Sequence, residues 1–108
     1  MANTFKNEQV QNVTTGWSDI GSAVTSQQRT IIGMTIANTE SSVIAVEVVI
    51  LNGSTRTYLV KDAPIPTGGA LIVVGGDQKV VLENGDKINV ACSANSSLNC
   101  VASYLEIT

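Results

Sequence analysis

Histidine is absent from this sequence of 108 residues, and charged residues make up only 14% of it. Without histidine the chain lacks the commonest general base and the commonest transition-metal ligand, so neither a Ser-His-Asp triad nor a Cys-His pair can form. The two cysteines alone make a poor zinc site. Most of the nine acidic residues fall in predicted turns, where a solvated carboxylate is the usual state. We therefore expect no enzyme activity, no bound metal and no cofactor.

Positive charge is also scarce. The chain has six Lys and Arg residues, which are scattered, and its net charge is −3. Nucleic-acid binding depends on clustered cations that neutralise phosphates, so we expect no nucleic-acid partner. No apolar segment approaches the ~20 residues that span a bilayer, and the first residues lack the apolar core of a signal peptide. We expect no membrane partner and synthesis in a cytoplasm, with release by a route such as lysis.

Short segments rich in Val, Ile and Thr alternate with clusters of Gly, Asn, Asp, Ser and Pro along the whole chain. This pattern predicts about nine or ten short strands in one domain, because turn residues at short intervals separate strands of a sandwich or barrel. We expect an all-β fold, a single antiparallel β-sandwich that is jelly-roll-like. Residues 1–9 are polar apart from Phe5 and predict an extended N-terminal arm, which leaves residues 10–108 as the sandwich domain.

Two dipeptides predict β-hairpins. Asn52-Gly53 follows Val43–Leu51, whose nearly continuous Val and Ile predict either burial on both faces or one face against the core and the other against a partner. Asn84-Gly85 tolerates positive φ at both central positions of a type I′ turn. We therefore expect Lys79–Leu82 and Lys87–Cys92 to pair as a hairpin.

The two cysteines lie near the facing ends of predicted strands joined by the loop Ser93–Asn99. If those strands form a hairpin, Cys92 and Cys100 face each other with their Cα atoms within about 7 Å, as a disulfide requires. The bond would close a small loop and add about 2–3 kcal/mol of stability. A reducing cytoplasm favours free thiols and an oxidising exterior favours the bond, so the sequence leaves the redox state open.

Aromatic residues are few, and Trp17 is the one tryptophan. It stands beside Gly16 in a predicted turn, where an exposed ring can serve as a platform for a glycan. A Trp that covers one end of a sandwich core is the more common arrangement, since its large ring buries much apolar surface. A surface Trp in a concave site would favour a glycan-binding module.

An ordered series of motifs occupies the second half of the chain, and two more lie in the first half. They are Thr4-Phe5-Lys6-Asn7, Thr30-Ile31-Ile32-Gly33-Met34, Ala63-Pro64-Ile65-Pro66, Gly68-Gly69-Ala70-Leu71, Gly75-Gly76-Asp77-Gln78-Lys79-Val80-Val81-Leu82, Gly85-Asp86-Lys87-Ile88-Asn89-Val90 and Val101-Ala102-Ser103-Tyr104-Leu105-Glu106-Ile107. In these motifs the chain resembles small all-β structural proteins of tailed-bacteriophage virions, including those of cyanophages and other marine phages. The motifs are structural rather than catalytic, and the two cysteines depart from the pattern of that group.

The resemblance implies a capsid decoration, or cement, protein on the virion surface that bridges and stabilises major capsid protein subunits, with a homotrimer as the expected assembly. In that role we expect Phe5, Lys6 and Val10 to contact neighbouring subunits or the capsid. A neck, tail or fibre-tip protein is the alternative within the virion. A receptor- or glycan-binding module that uses Trp17 is the alternative of another class.

Overall fold

The structure, a computed structural model, describes residues 3–25, 28–75, 79–94 and 98–107. Nine strands cover most of these residues: β1 (Asn3–Val13), β2 (Ser18–Ile20), β3 (Gln28–Asn38), β4 (Ile44–Asn52), β5 (Thr55–Ile65), β6 (Ala70–Val74), β7 (Val80–Leu82), β8 (Asp86–Cys92) and β9 (Leu98–Ile107). These four stretches contain no helix that is long and apolar enough to cross a membrane.

The strands form two antiparallel sheets. Sheet A has the order β1-β9-β3-β6, and β7 also pairs with β3, while sheet B has the order β2-β8-β4-β5. Most connections between consecutive strands therefore cross from one sheet to the other. Among the nine strands, only β4–β5 and β6–β7 are consecutive within one sheet. The predicted all-β antiparallel sandwich is confirmed. This order is compatible with two Greek keys wrapped across two sheets, and the finer assignment to a jelly roll stays a prediction.

The core lies between the sheets and follows the two-residue period of the strands. On β9 the inward residues Leu98, Cys100, Ala102 and Tyr104 are buried, and on β8 the same holds for Ile88, Val90 and Cys92. Across the sandwich, β4 contributes Ile44, Val46 and Val48. Burying each large aliphatic side chain of this kind contributes about 1.5–3 kcal/mol, so this shared core is what holds the sheets together.

The β4–β5 hairpin predicted at Asn52-Gly53 is confirmed, with its turn one residue further along. Asn52 pairs with Thr55, so Gly53 and Ser54 are the two central residues of the turn. Gly53 has a φ of 61° and Ser54 is not among the residues with positive φ, which is the pattern of a type II′ turn. Such a turn matches the right-handed twist of the two strands it joins.

The hairpin predicted at Asn84-Gly85 is wrong. β7 pairs with β3 in sheet A, whereas β8 pairs with β2 and β4 in sheet B, so the turn carries the chain from one sheet to the other. Only Gly85 has a positive φ, 92°, and the Asp86 N–H donates to the Glu83 carbonyl at 2.9 Å. One positive φ at the third residue defines a type II turn, which splays the flanking strands instead of pairing them.

Residues 3–9 of the predicted arm belong to the sandwich, and residues 1 and 2 lie outside the described residues. Every residue from Asn3 to Val10 pairs with β9, so β1 is an edge strand of sheet A. Nearly all side chains of β1 are exposed or half-buried. For this reason its residues are mostly polar, and the sequence resembles that of a free arm. Strand β1 therefore runs across the boundary expected after residue 9.

The expected hairpin between the cysteines is also wrong. Cys92 lies on β8 in sheet B opposite Val46, and Cys100 lies on β9 in sheet A opposite Ile36. Both thiols are free and buried. A polar loop between two apolar segments can cross from one sheet to the other as well as close a hairpin, and the sequence pattern is the same in both cases.

Candidate functional site

The outer face of sheet A, directed away from sheet B, collects most of the exposed apolar side chains. Across this face Phe5 pairs with Leu105, Leu105 with Thr30, and Thr30 with Val81, so the four residues form one row. A parallel row contains Gln9, Val101, Thr35 and Ile72. Side chains at paired positions point to the same side of a sheet, so these two rows form one surface.

Exposure on this surface is high. Six large hydrophobic side chains are exposed among the described residues, and four of them lie here: Phe5 at 74%, Ile72 at 69%, Val81 at 54% and Val101 at 46%. The other two, Val43 and Tyr58, lie elsewhere. Four exposed apolar side chains on one face make it the candidate interaction surface of the described residues.

The same surface is uncharged. Its outward residues at the paired positions of these strands are Asn3, Phe5, Asn7, Gln9, Gln28, Thr30, Gly33, Thr35, Ala37, Ala70, Ile72, Val81, Asn99, Val101, Ser103, Leu105 and Ile107. None of these paired strand residues is Asp, Glu, Lys or Arg. Depletion of charge together with exposed aliphatic and aromatic groups is the composition of an interface core.

The outer face of sheet B is different, because the chain covers it itself. Val49 and Asn89 are paired and point outward by alternation, yet they are only 0% and 2% exposed. Tyr58 pairs with Val49, and the Trp17 ring packs edge-on against Tyr58 with ring centroids 6.5 Å apart. Tyr58 thus lies beside the buried Val49 in the sheet, and Trp17 packs against Tyr58 on the same face.

Polar contacts complete that cover. The Asn89 amide donates to Asp19 at 2.6 Å, and Lys87 pairs with the other oxygen of Asp19 at 3.2 Å. The Arg56 guanidinium lies 5.1 Å from the Trp17 ring centroid and occupies one face of the indole. Trp17 therefore lies on the outer surface of sheet B and not at the end of the core, and one face of the ring that a sugar would stack on holds Arg56.

The inward side of β1 carries a second group of residues. Arg29, which is buried on β3, donates through Nε and Nη2 to one oxygen of Glu106 at 3.1 and 2.8 Å. Lys6 donates to the other Glu106 oxygen at 3.0 Å. These hydrogen bonds, first from Arg29 and then from Lys6, lower the pKa of Glu106, and the bond to Glu106 raises the pKa of Lys6. The carboxylate is therefore held in its charged form.

Tyr104 extends this group along β9. Its hydroxyl donates to Glu8 on β1 at 3.2 Å, and the Arg29 guanidinium lies 4.8 Å from its ring centroid. Burial, followed by the charge of Glu8, raises the pKa of Tyr104. Within the described residues, no buried side-chain nitrogen or oxygen lacks a hydrogen-bond partner. The group is thus fully paired, and β1 supplies two of its members.

The structure separates the three contact residues that the sequence predicted. Phe5 lies on the outer face of sheet A, whereas Lys6 and Val10 point to the inner side of β1 and contact or face β9. Sequence reasoning missed Ile72, Val81 and Val101 as members of the same surface. Alternation within each strand marks them as outward, but only the pairing of β6, β7 and β9 with β3 and β1 brings them together.

The described part of the chain offers no metal site and no ligand pocket. No group of three or more Cys, Asp or Glu residues is arranged to hold a metal ion there, and no pocket is found. The buried Cys100 thiol has its pKa raised to about 12 by burial, and burial also raises the pKa of Cys92.

Comparisons with known proteins bear on the fold. No protein-family model matches the chain, and no curated protein sequence matches it significantly. Among solved structures, a protein of the disulfide-linked pili that form Bacillus endospore appendages matches with a TM-score of 0.56. The match covers 100% of this chain and 91% of the other at 13% identity, so it shows a shared fold alone.

Proposed function

We propose that this protein is a non-enzymatic structural subunit of a tailed-phage virion, and more specifically a capsid decoration protein that packs against major capsid protein subunits as a homotrimer. The single observation that carries the proposal is the uncharged outer face of sheet A, where Phe5, Ile72, Val81 and Val101 stand exposed together. The assignment to a virion rests on the resemblance of the sequence motifs. The role of a packing subunit rests on the surface.

The size of this face supports the role. Strands of about ten residues at about 3.3 Å per residue, in four positions about 4.8 Å apart, give about 33 by 19 Å, or about 600 Å². A standard protein–protein interface buries about 800 Å² on each partner. The face therefore provides most of one interface, and neighbouring loops supply the rest.

The chemistry of the face suits a permanent assembly. Its polar residues are Asn, Gln, Ser and Thr, which form hydrogen bonds with a partner without the desolvation penalty of charges. Contacts of this kind depend little on ionic strength, since no ion pairs are screened. The pilus protein of similar fold supports a structural role in an assembly for a sandwich of this shape, though not its location.

A charge placed on the face tests the proposal. We expect Val101→Glu to reduce re-binding to particles stripped of the protein by at least about 20-fold, because a buried unpaired charge costs several kcal/mol. Val43→Glu is the matched control, since Val43 is 61% exposed but lies between β3 and β4, off the face. Equal binding of Val101→Glu and wild type would show that the face is not the contact surface.

Particles that lack the protein test the virion role itself. We expect complete heads that burst more readily on heating or osmotic shock, and hundreds of copies of the protein on each normal particle. Six or twelve copies would place the protein in the neck or tail instead. Light scattering that gives the 11.3 kDa monomer mass at all micromolar concentrations would contradict the homotrimer.

One observation favours the receptor- or glycan-binding alternative: Trp17 is half-buried beside Tyr58 on the outer face of sheet B. A ligand that stacks there must displace Arg56 from the indole or use its free edge. Titration with candidate glycans should then change Trp17 fluorescence, and Arg56→Ala should strengthen the response. Robust particles that fail to adsorb to cells would replace the decoration role with this one.

A further inference from the structure

Strand β1 is paired with β9 through its backbone, yet it buries few of its side chains. Each residue from Asn3 to Val10 pairs with β9, but in the whole strand only Val13 is fully buried, and Glu8 and Val10 are half-buried. Backbone hydrogen bonds and the contacts of Lys6 and Glu8 therefore hold the segment 3–11, in which Val10 alone packs against the core. Such a segment can leave the sandwich without opening the core.

A hinge lies at the end of that segment. The pairing register with β9 slips between Val10 and Val13, and Asn12 has a φ of 58°, in the left-handed region. Immediately beyond it the chain is anchored, because Val13 is 0% exposed and the Thr14 carbonyl accepts the N–H of Cys92 at 3.0 Å. A change of direction at Asn12 would therefore redirect residues 3–11 and leave the rest in place.

The edge of β9 needs a strand of particular sequence. Lys6 meets Glu106, Glu8 meets the Tyr104 hydroxyl, and Val10 pairs with the buried Cys100. An empty edge would expose the backbone of β9, leave Glu106 with Arg29 alone and take Glu8 away from the Tyr104 hydroxyl. The pattern Lys-X-Glu-X-Val occurs once in the chain, at residues 6–10. The occupant that fits this edge is therefore a β1 strand, either its own or that of a second copy.

We propose that β1 strands are exchanged between copies of this chain, so that residues 3–11 of one copy complete sheet A of another. An exchanged strand makes the same contacts as the native one, so the equilibrium depends on the local concentration of copies and on the hinge. The proposed role on a particle surface supplies a high local concentration, but the exchange itself rests on β1 and β9 alone. Its result is copies linked by strands in a closed ring or an open chain.

Disulfide trapping in the full-length protein tests the exchange. Asn7 and Ser103 are directly paired on β1 and β9 and lie exposed on the outer face, and paired residues are close enough for a disulfide. Two single variants, Asn7→Cys and Ser103→Cys, are mixed at high protein concentration and oxidised, so that the bond between them can form only between chains. The native thiols are buried and do not compete.

The expected result is a heterodimer whose disulfide joins the cysteine introduced on β1 of one chain to the cysteine introduced on β9 of the other. Mass spectrometry of peptides from the non-reduced protein identifies this bond. The control mixture pairs Asn3→Cys with Ser103→Cys, four residues out of register, because Asn3 pairs with Ile107. Equal yields from the two mixtures would mean random collision and overturn the proposal. So would an absence of heterodimer up to millimolar concentrations.

A second variant tests the sequence requirement. Introducing Lys6→Glu into the Asn7→Cys chain sets two carboxylates opposite each other at Glu106, and the heterodimer yield should fall about fivefold, whereas Lys6→Arg should retain it. A yield unchanged by Lys6→Glu would overturn the proposed strand recognition. Failure of the exchange leaves the Val101→Glu result untouched, so the two proposals fail separately.

Discussion

The stability of the fold should depend strongly on the buried carboxylate of Glu106. It accepts two hydrogen bonds from Arg29 and one from Lys6, and its side chain is 6% exposed. Glu106→Gln keeps the shape of the side chain but removes the charge and turns an NH2 group toward one of the cations. Arg29, also 6% exposed, then becomes a buried cation without its counter-ion.

The size of the effect follows from what Arg29 retains. Breaking a buried ion pair typically costs about 3–5 kcal/mol. Here the guanidinium keeps the Ser22 carbonyl at 2.8 Å and the Tyr104 ring, and Lys6 is 48% exposed and regains water. We therefore expect the lower part of that range, about 3 kcal/mol, which lowers the Tm of a domain of this size by about 10–15 °C.

The pH dependence has a definite sign. Arg29 and Lys6 hold the pKa of Glu106 below its ordinary value of 4.5, so the folded state binds a proton less readily than the unfolded state does. The stabilisation is complete above pH 4.5 and is lost as the pH falls through the folded-state pKa. The Tm of wild type should therefore fall over this acid range, and the gap between wild type and Glu106→Gln should narrow.

Urea denaturation at pH 7 and thermal melts from pH 7 to pH 3 measure both effects. Glu47→Gln is the control, because Glu47 makes an exposed ion pair with Lys61 at 3.9 Å, for which we expect less than about 1 kcal/mol. A loss below about 1 kcal/mol for Glu106→Gln, or a gap that widens in acid, would refute the reasoning.

Three further predictions concern single positions. Asn38→Ala should lower the free energy of unfolding by about 2–4 kcal/mol in urea denaturation, because the buried amide donates to the carbonyls of Ser42 and Ile65 and its oxygen accepts the Glu40 N–H. Asn12→Val should cost about 1–2 kcal/mol at its positive φ while Asn12→Gly should not, and equal losses would contradict the strain argument. Cys100 should resist thiol reagents in the native state and react on unfolding, since a pKa of about 12 leaves very little thiolate at neutral pH, and rapid native labelling would contradict its burial.

The sequence predicts most reliably the structural features that depend on residues adjacent in the chain. The fold class follows from alternation and turn residues, and the Gly53 turn follows because β4 and β5 are adjacent, long and paired over their whole length. Asn84-Gly85 carries an equally strong turn signal, yet β7 has three residues and pairs with β3. Which strand a short segment joins depends on contacts far along the chain, and a dipeptide does not encode them.

The residues of the candidate surface could likewise be predicted only in part, because they come from strands that are distant in the sequence. Phe5 could be proposed as a contact residue because an exposed aromatic in a polar segment is conspicuous. Ile72, Val81 and Val101 lie in apolar segments that look like core strands, and alternation leaves open which alternate residue points outward. The bulge between Ile31 and Gly33 and the shift between Met34 and Thr35 set those faces. Irregularities of this kind follow from packing of the complete sheet.

The contrast between the two outer faces supports the proposal that the outer face of sheet A packs against a partner. On sheet B, Val49 is buried beside Tyr58, and two ion pairs, Lys87 with Asp19 and Lys61 with Glu47, place charges on that face. On sheet A, Phe5, Ile72, Val81 and Val101 are exposed, and none of the paired outward residues is charged. In a free monomer that arrangement is unfavourable, because exposed apolar rows promote non-specific association. An assembled subunit gains an interface, and edge strand β1 lies at the border of that face, where copies can also be linked by exchange.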